Sequence, residues 1–98
     1  MNDKKNKANL YCYIAETYIN RFSKGANKNL LLDSIDLYFQ AIRLDNECVE
    51  AYIGLSYLEY NYGNKENAWK MINKARSIEP LNIRVNHIRE NFKKQFFS

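Results

Sequence analysis

Turn formers are nearly missing from this chain, which has three glycines and one proline in 98 residues. An all-β domain of that length needs turn residues at roughly 8–12-residue spacing. Their scarcity excludes a sandwich or barrel and leaves helices. Long apolar runs are also missing, and nothing approaches the ~18 residues of a membrane span. Histidine is reduced to His87, with no second histidine or cysteine at metal-ligand spacing, so no zinc or other metal site is expected. Gly25, Gly54 and Gly63 stand apart from one another and form no phosphate-cradling loop. No nucleophile motif is present. The carboxylates Glu16, Asp33, Asp36, Glu59 and Glu66 are scattered as solvated charges usually are. No enzyme activity and no cofactor are therefore expected. Two cysteines, Cys12 and Cys48, are too few for a disulfide framework and read as helix-packing residues.

What is present suffices for one folded domain, since 46% of residues are hydrophobic and 27% charged. The net charge is +4, with basic residues crowded at the ends: Lys4, Lys5 and Lys7, then Arg84, Arg89, Lys93 and Lys94. Nucleic acid or an anionic surface could answer such a charge, but no long like-charge run exists. A solvated surface is the simpler reading. The polar stretch Met1 to Asn9 lacks the apolar core of a secretory leader, so a cytoplasmic location with reduced thiols is expected.

Hydrophobic spacing predicts five helices. Tyr11, Ile14, Ala15, Tyr18 and Ile19 share one face of a first helix over about Lys7 to Phe22, preceded by a disordered or frayed segment over 1–8. Ser23 to Asn29 is a polar break, and Asn29 is placed to cap a second helix to Leu44. Leu31, Ile35, Tyr38 and Ile42 form its stripe. Asp45 and Asn46 break the chain before a third helix, about Glu47 to Tyr62, ended by Gly63. Asn64 can cap a fourth, about Lys65 to Ile78, and Pro80 suits the first turn of a fifth. Leu81, Val85, Ile88, Phe92 and Phe96 give the fifth its stripe. The third helix has two apolar faces, one of Tyr52, Leu55 and Tyr62 and one of Ile53, Tyr57 and Tyr60. An outer helix needs only one. The second face must meet a partner, another copy of the chain or neighbouring helices.

A repeat runs through the pattern. Tyr38 and Ile72, Ala41 and Ala75, and Leu44 and Ile78 are each 34 residues apart. That period, with two helices per unit, marks one repeat class. Residues 49–82 resemble a tetratricopeptide repeat (TPR): Tyr52, Leu55 and Ser56 on the first helix, Gly63 at the turn, Ala68, Ile72 and Ala75 on the second helix, and Pro80 at the end. Small side chains at Ser56, Ala68 and Ala75 let backbones approach while Tyr52, Leu55 and Ile72 fill the gaps. Residues 9–48 match less closely, with about seven extra residues between the two helical sets and Asn46 where proline is usual. The extra residues lengthen either the hairpin or its loop. The resemblance implies an all-α fold with two repeats and a C-terminal capping helix over 83–97, a right-handed α-solenoid fragment forming a single domain over 9–98.

The resemblance also implies a concave groove lined by the first helix of each hairpin. Carried over by position, its residues are Asn9, Cys12, Glu16 and Ile19, then Glu50, Ile53, Tyr57, Tyr60 and Asn61, then Arg84, His87 and Asn91. The TPR subclass that clamps C-terminal carboxylates is a poor match. Cys12, Glu16, Gly54 and Ile88 replace its polar anchors, and only Arg84 keeps the charge. The expected function is protein–protein interaction, an adaptor or scaffold holding a peptide or helix in an aromatic groove. A homodimer whose groove is filled by a second copy is the alternative, and RNA binding through the basic ends is the least favoured.

Overall fold

The computed structural model describes residues 3–25 and 27–97, and it is all-helical. Five helices follow in order: α1 (Asp3–Ser23), α2 (Asn29–Leu44), α3 (Val49–Tyr62), α4 (Lys65–Ile78) and α5 (Ile83–Phe97). α1 packs mainly on α2 and α3 on α4, giving two hairpins that meet along α2–α3 and α1–α3, and α5 lies on α4. The body is 38 × 38 × 18 Å, thick enough for two layers of helices at roughly 10 Å each. Among the described residues, no helix is long and apolar enough to cross a membrane.

Small residues stand where the helices cross. Ala8 and Ala15 on α1, Ser34 and Ala41 on α2, Ser56 on α3, and Ala68 and Ala75 on α4 are all fully buried. The two buried hydroxyls turn back on their own helices: Ser34 Oγ donates to the Leu31 carbonyl and Ser56 Oγ to that of Ile53, both at 2.7 Å. Neither therefore demands a partner across the interface, and both behave as small packing residues.

Two clusters make the core. One gathers Ala8, Cys12, Ala15, Tyr38, Ala41, Leu55 and Leu58 between α1, α2 and α3. The other gathers Tyr52, Ile53, Ala68, Ile72, Val85, Ile88 and Phe92 between α3, α4 and α5. α3 feeds both, which is why it is apolar on two faces. The neighbour on its second face is largely α5. Ile53 is buried there, and Tyr60 stacks on Phe92 with ring centroids 4.9 Å apart. Tyr57 alone of that face stays exposed, touching Phe92 only edge-on at 6.4 Å.

Several boundaries differ from the sequence reading, each for a local reason. α1 starts at Asp3, and Ala8 is fully buried in the core, so the segment expected to fray over 1–8 is helical from Asp3; Met1 and Asn2 lie outside the described residues. Asn29 is the first residue of α2 rather than its cap, and Asn27 Oδ1 instead accepts the Asn29 N–H at 2.8 Å. α3 begins two residues later than Glu47, because Asp45 Oδ1 holds the Glu47 N–H at 3.1 Å in a turn. Pro80 lies ahead of α5, which opens with Asn82 Oδ1 accepting the Val85 N–H at 3.0 Å. Leu81 consequently precedes the helix and is 91% exposed rather than part of the α5 stripe. Tyr62 is also half-exposed, since it ends α3 beyond the reach of the core and meets only Phe22 edge-on at 5.4 Å.

The seven extra residues of the first hairpin are shared between helices and loop. Aligned on the small and large core positions, α1 runs two residues past the point matching the end of α3. α2 likewise starts two before the point matching Lys65, and the connection lengthens from two residues to five. Gly25 sits in that connection at φ +90°, a conformation that L side chains rarely adopt.

The α3–α4 turn matches expectation more closely. Asn64 Oδ1 accepts from the N–H groups of Glu66 at 2.7 Å and Asn67 at 3.2 Å, and Glu59 Oε2 accepts the Asn64 N–H at 3.0 Å. Asn64→Ala removes the acceptor of two of the four N–H donors at the start of α4 and leaves them unpaired within the protein. It is expected to lower stability by about 1 kcal/mol. A thermal melt should then fall by roughly 4–8 °C with low-temperature helicity unchanged.

Candidate functional site

α1, α3 and α5 share a face that carries a cleft of about 410 Å³. One wall is the C-terminal half of α1, with Glu16, Ile19, Asn20 and Ser23. The other is α3, with Ile53, Gly54, Tyr57, Leu58, Asn61 and Tyr62. Tyr38 of α2 forms the floor and Arg84 of α5 closes one end. Asn20 and Ser23 join the wall because α1 continues one turn beyond Ile19. The edge-on Phe22–Tyr62 pair ties the far ends of the two walls together.

The floor depends on a missing side chain. Gly54 faces the ring of Tyr38, and a Cβ at position 54 would overlap the Cζ, Cε1 and hydroxyl atoms of that ring. The absent methyl lets Tyr38 lie flat between the walls, buried to 1% exposure. Its phenol is pushed well above the ordinary tyrosine range, first by burial and then by the charge of Glu16, so it stays neutral and able to donate.

Charge is placed at the end of the cleft. Arg84 Nη1 donates to both carboxylate oxygens of Glu50, at 3.0 and 3.1 Å. Both side chains are about half exposed, so the pair itself is worth under about 1 kcal/mol. Its effect is positional: it joins α5 to the start of α3 and engages the guanidinium that the sequence reading assigned to the groove.

A second, smaller hollow of about 300 Å³ opens beside the first, between Tyr57, Tyr60, Ile88, Asn91, Phe92 and Gln95. Tyr57 forms the ridge between the two hollows. Of the twelve residues expected to line a groove, Glu16, Ile19, Ile53, Tyr57, Asn61 and Arg84 surround the first cleft, Tyr60 and Asn91 join Tyr57 around the second, and Asn9 and Glu50 line neither. Ile53 contributes little open surface, being 1% exposed. Cys12 is withdrawn into the core, 2% exposed, with its sulfur 3.7 Å from that of Cys48. His87 is exposed on α5 but lines neither hollow.

The sequence reading missed Asn20, Ser23, Tyr38, Gly54, Leu58 and Tyr62. A glycine inside a strongly apolar helix was the available signal for Gly54, since such a residue costs helix stability unless something approaches its backbone. The cleft offers apolar rings, two carboxamides, a carboxylate and phenols, which suit hydrogen bonding and apolar contact. No group of three or more His, Cys, Asp or Glu residues close enough to hold a metal ion occurs among the described residues. No family model, curated protein or solved structure matches the chain.

Proposed function

We propose that this chain is a non-catalytic protein-interaction module that takes a peptide or an amphipathic helix along the α1–α3–α5 face. The observation that carries this reading is the 410 Å³ cleft with Tyr57 and Tyr62 exposed on its rim, 45% and 52% respectively. Tyrosine rings provide large contact area with a polar end, and the Asn20 and Asn61 carboxamides can pair with a ligand backbone. The 34-residue spacing and the small buried residues at matching positions of both hairpins support a TPR-like array closed by α5.

The test uses peptides selected from a random display library on the whole chain. Tyr57→Ala combined with Asn61→Ala removes exposed cleft groups and one edge-on ring contact with Phe92, so the chain should stay folded with its melting midpoint lowered by no more than roughly 4–8 °C. Binding of the selected peptides should weaken by at least about tenfold, the equivalent of about 1.4 kcal/mol. Retention of full affinity by the folded double variant would remove the cleft as the binding site.

A second reading, self-assembly, has its own observation. Leu10, Tyr13, Leu32 and Phe39 on the first hairpin, and Leu81, Ile83 and Phe97 at the other end, are all more than 40% exposed. Apolar residues at both ends of a stack of helices are what a second copy would cover. Sedimentation over a concentration series separates the readings, because a strict monomer leaves only the first.

A further inference from the structure

Cys12 and Cys48 are 36 residues apart in sequence, yet their sulfurs meet at 3.7 Å inside the core. Cys12 comes from the middle of α1, and Cys48 is the residue immediately before α3. Both are free thiols. We propose that they are a reversible oxidation site, closing to an intramolecular disulfide under a small peroxide and pinning α1 to the start of α3.

The geometry favours a bond between these two atoms over other fates. The sulfurs already converge, and a covalent S–S distance of about 2.05 Å is reached by small side-chain rotations. The two thiols are not equivalent. Cys48 sits immediately before α3, where the helix N-terminus favours a thiolate. Its thiol is lowered to about 7, chiefly by the hydrogen bond it shares with Cys12, against the opposing effect of burial. The Cys12 thiol is pushed up by that same hydrogen bond, by burial and by the neighbouring thiolate and carboxylates, so it keeps its proton. Cys48 is therefore the attacking sulfur and Cys12 the resolving one. Cys48 is 3% exposed but shallow: the exposed turn residues Asn46 and Glu47 precede it, and the exposed Asn9 carboxamide lies 3.9 Å from its sulfur. A molecule as small as hydrogen peroxide reaches it through a local opening of that turn.

The chemistry balances with peroxide as the oxidant. The Cys48 thiolate attacks one peroxide oxygen and breaks the O–O bond, and the departing hydroxide takes up a proton as the first water. This leaves Cys48 as a sulfenic acid. Cys12 sulfur then attacks Cys48 sulfur, the S–O bond breaks, and the leaving hydroxide carries off the Cys12 proton as the second water. Two thiols lose two electrons and two protons, and one peroxide becomes two waters. A dithiol reductant reverses the link by exchange.

The test treats the full chain with stoichiometric hydrogen peroxide. Expected are the loss of two hydrogens by intact mass, a Cys12–Cys48 linked pair on non-reducing peptide mapping, and no intermolecular dimer. Cross-linking positions this far apart in sequence should raise the melting midpoint by roughly 10 °C, reversibly with dithiothreitol. In Cys12→Ser, peroxide should instead halt at a Cys48 sulfenic acid that dimedone traps, and in Cys48→Ser it should leave Cys12 unreacted. Dimedone-trapped Cys48 in wild-type protein without the link, disulfides only between molecules, or a link that forms only in denaturant would each overturn the proposal. Peptide mapping of the wild-type chain decides it even if a serine variant folds poorly.

Discussion

Phe92→Ala is expected to be among the most damaging single substitutions in this protein, costing about 3–5 kcal/mol. Phe92 is 3% exposed at the junction of α3 and α5. Its ring stacks on Tyr60 at 4.9 Å and on Phe96 at 5.3 Å, and Tyr57 meets it edge-on. Truncation leaves a cavity and removes three ring contacts, each worth up to about 1 kcal/mol beyond the buried area. A domain of this size has a total stability of about 5–15 kcal/mol, so a fifth or more of it is lost.

The loss should be concentrated in α5. Apart from this aromatic junction, α5 is held by Val85 and Ile88, by the half-exposed Arg84–Glu50 pair, and by Arg89, which lies over the Trp69 ring at 4.9 Å and bonds Asn73 Oδ1 at 2.6 Å. Amide exchange in Phe92→Ala should therefore speed up over 83–97 well before it does over α1 and α2. Trp69, the only tryptophan, touches Phe97 edge-on at 5.2 Å and reports the same event by fluorescence. Equal acceleration in all five helices would show that α5 is fused to one cooperative unit.

Gly54→Ala is the second large effect, and its sign opposes helix propensity. In a helix interior alanine is favoured over glycine by about 0.8–1 kcal/mol. Here the new methyl overlaps the end of the Tyr38 ring. That ring is buried at 1% exposure between the two hairpins, so it makes room only by giving up packing and shifting toward the cleft whose floor it forms. Overpacking of this kind costs about 1–3 kcal/mol or more, and a net destabilisation near 2 kcal/mol is expected by chemical denaturation. A double-mutant cycle identifies the cause. Tyr38→Leu shortens the ring and should be costly alone, yet much less costly in the Gly54→Ala background. Strict additivity of the two would mean that the methyl is accommodated elsewhere.

Helix number and order were legible in the sequence because they rest on periodic burial. The stripe Leu31, Ile35, Tyr38 and Ile42 and the cap Asn64 belong to single elements, and local physics decides them. The errors fall where two signals compete at a boundary. Pro80 and Asn82 can each open a helix, and the asparagine side chain prevails because it supplies a hydrogen bond to Val85. Asn27 and Asn29 compete in the same way, with the same kind of outcome. The two apolar faces of α3 were legible as faces, but not which neighbour covers the second. Ile53 and Tyr60 turn inward because α5 arrives there, and this depends on a tertiary placement that spacing alone does not encode. Glu16, Ile19, Tyr57, Asn61 and Arg84 surround one cleft. Tyr38 was legible as a core residue of α2 but not as the floor of the cleft beneath Gly54, because that role lies in a contact between α2 and α3. The thiol pair escaped for a similar reason, since 36 residues of separation leave no local trace.

Because each helix packs mainly on one of its neighbours in the chain, the order of synthesis is also an order of assembly. α1 and α2 can zip together as soon as Leu44 is free, with few long closures to wait for, and such chain-local topologies fold quickly. That hairpin is not finished on its own, however. Leu55 and Leu58, which cover its cluster, arrive only with α3. A nascent chain paused before α3 would thus present Cys12, Ala15 and Tyr38 to its surroundings, and the first hairpin would be the segment in which a chaperone finds its hold.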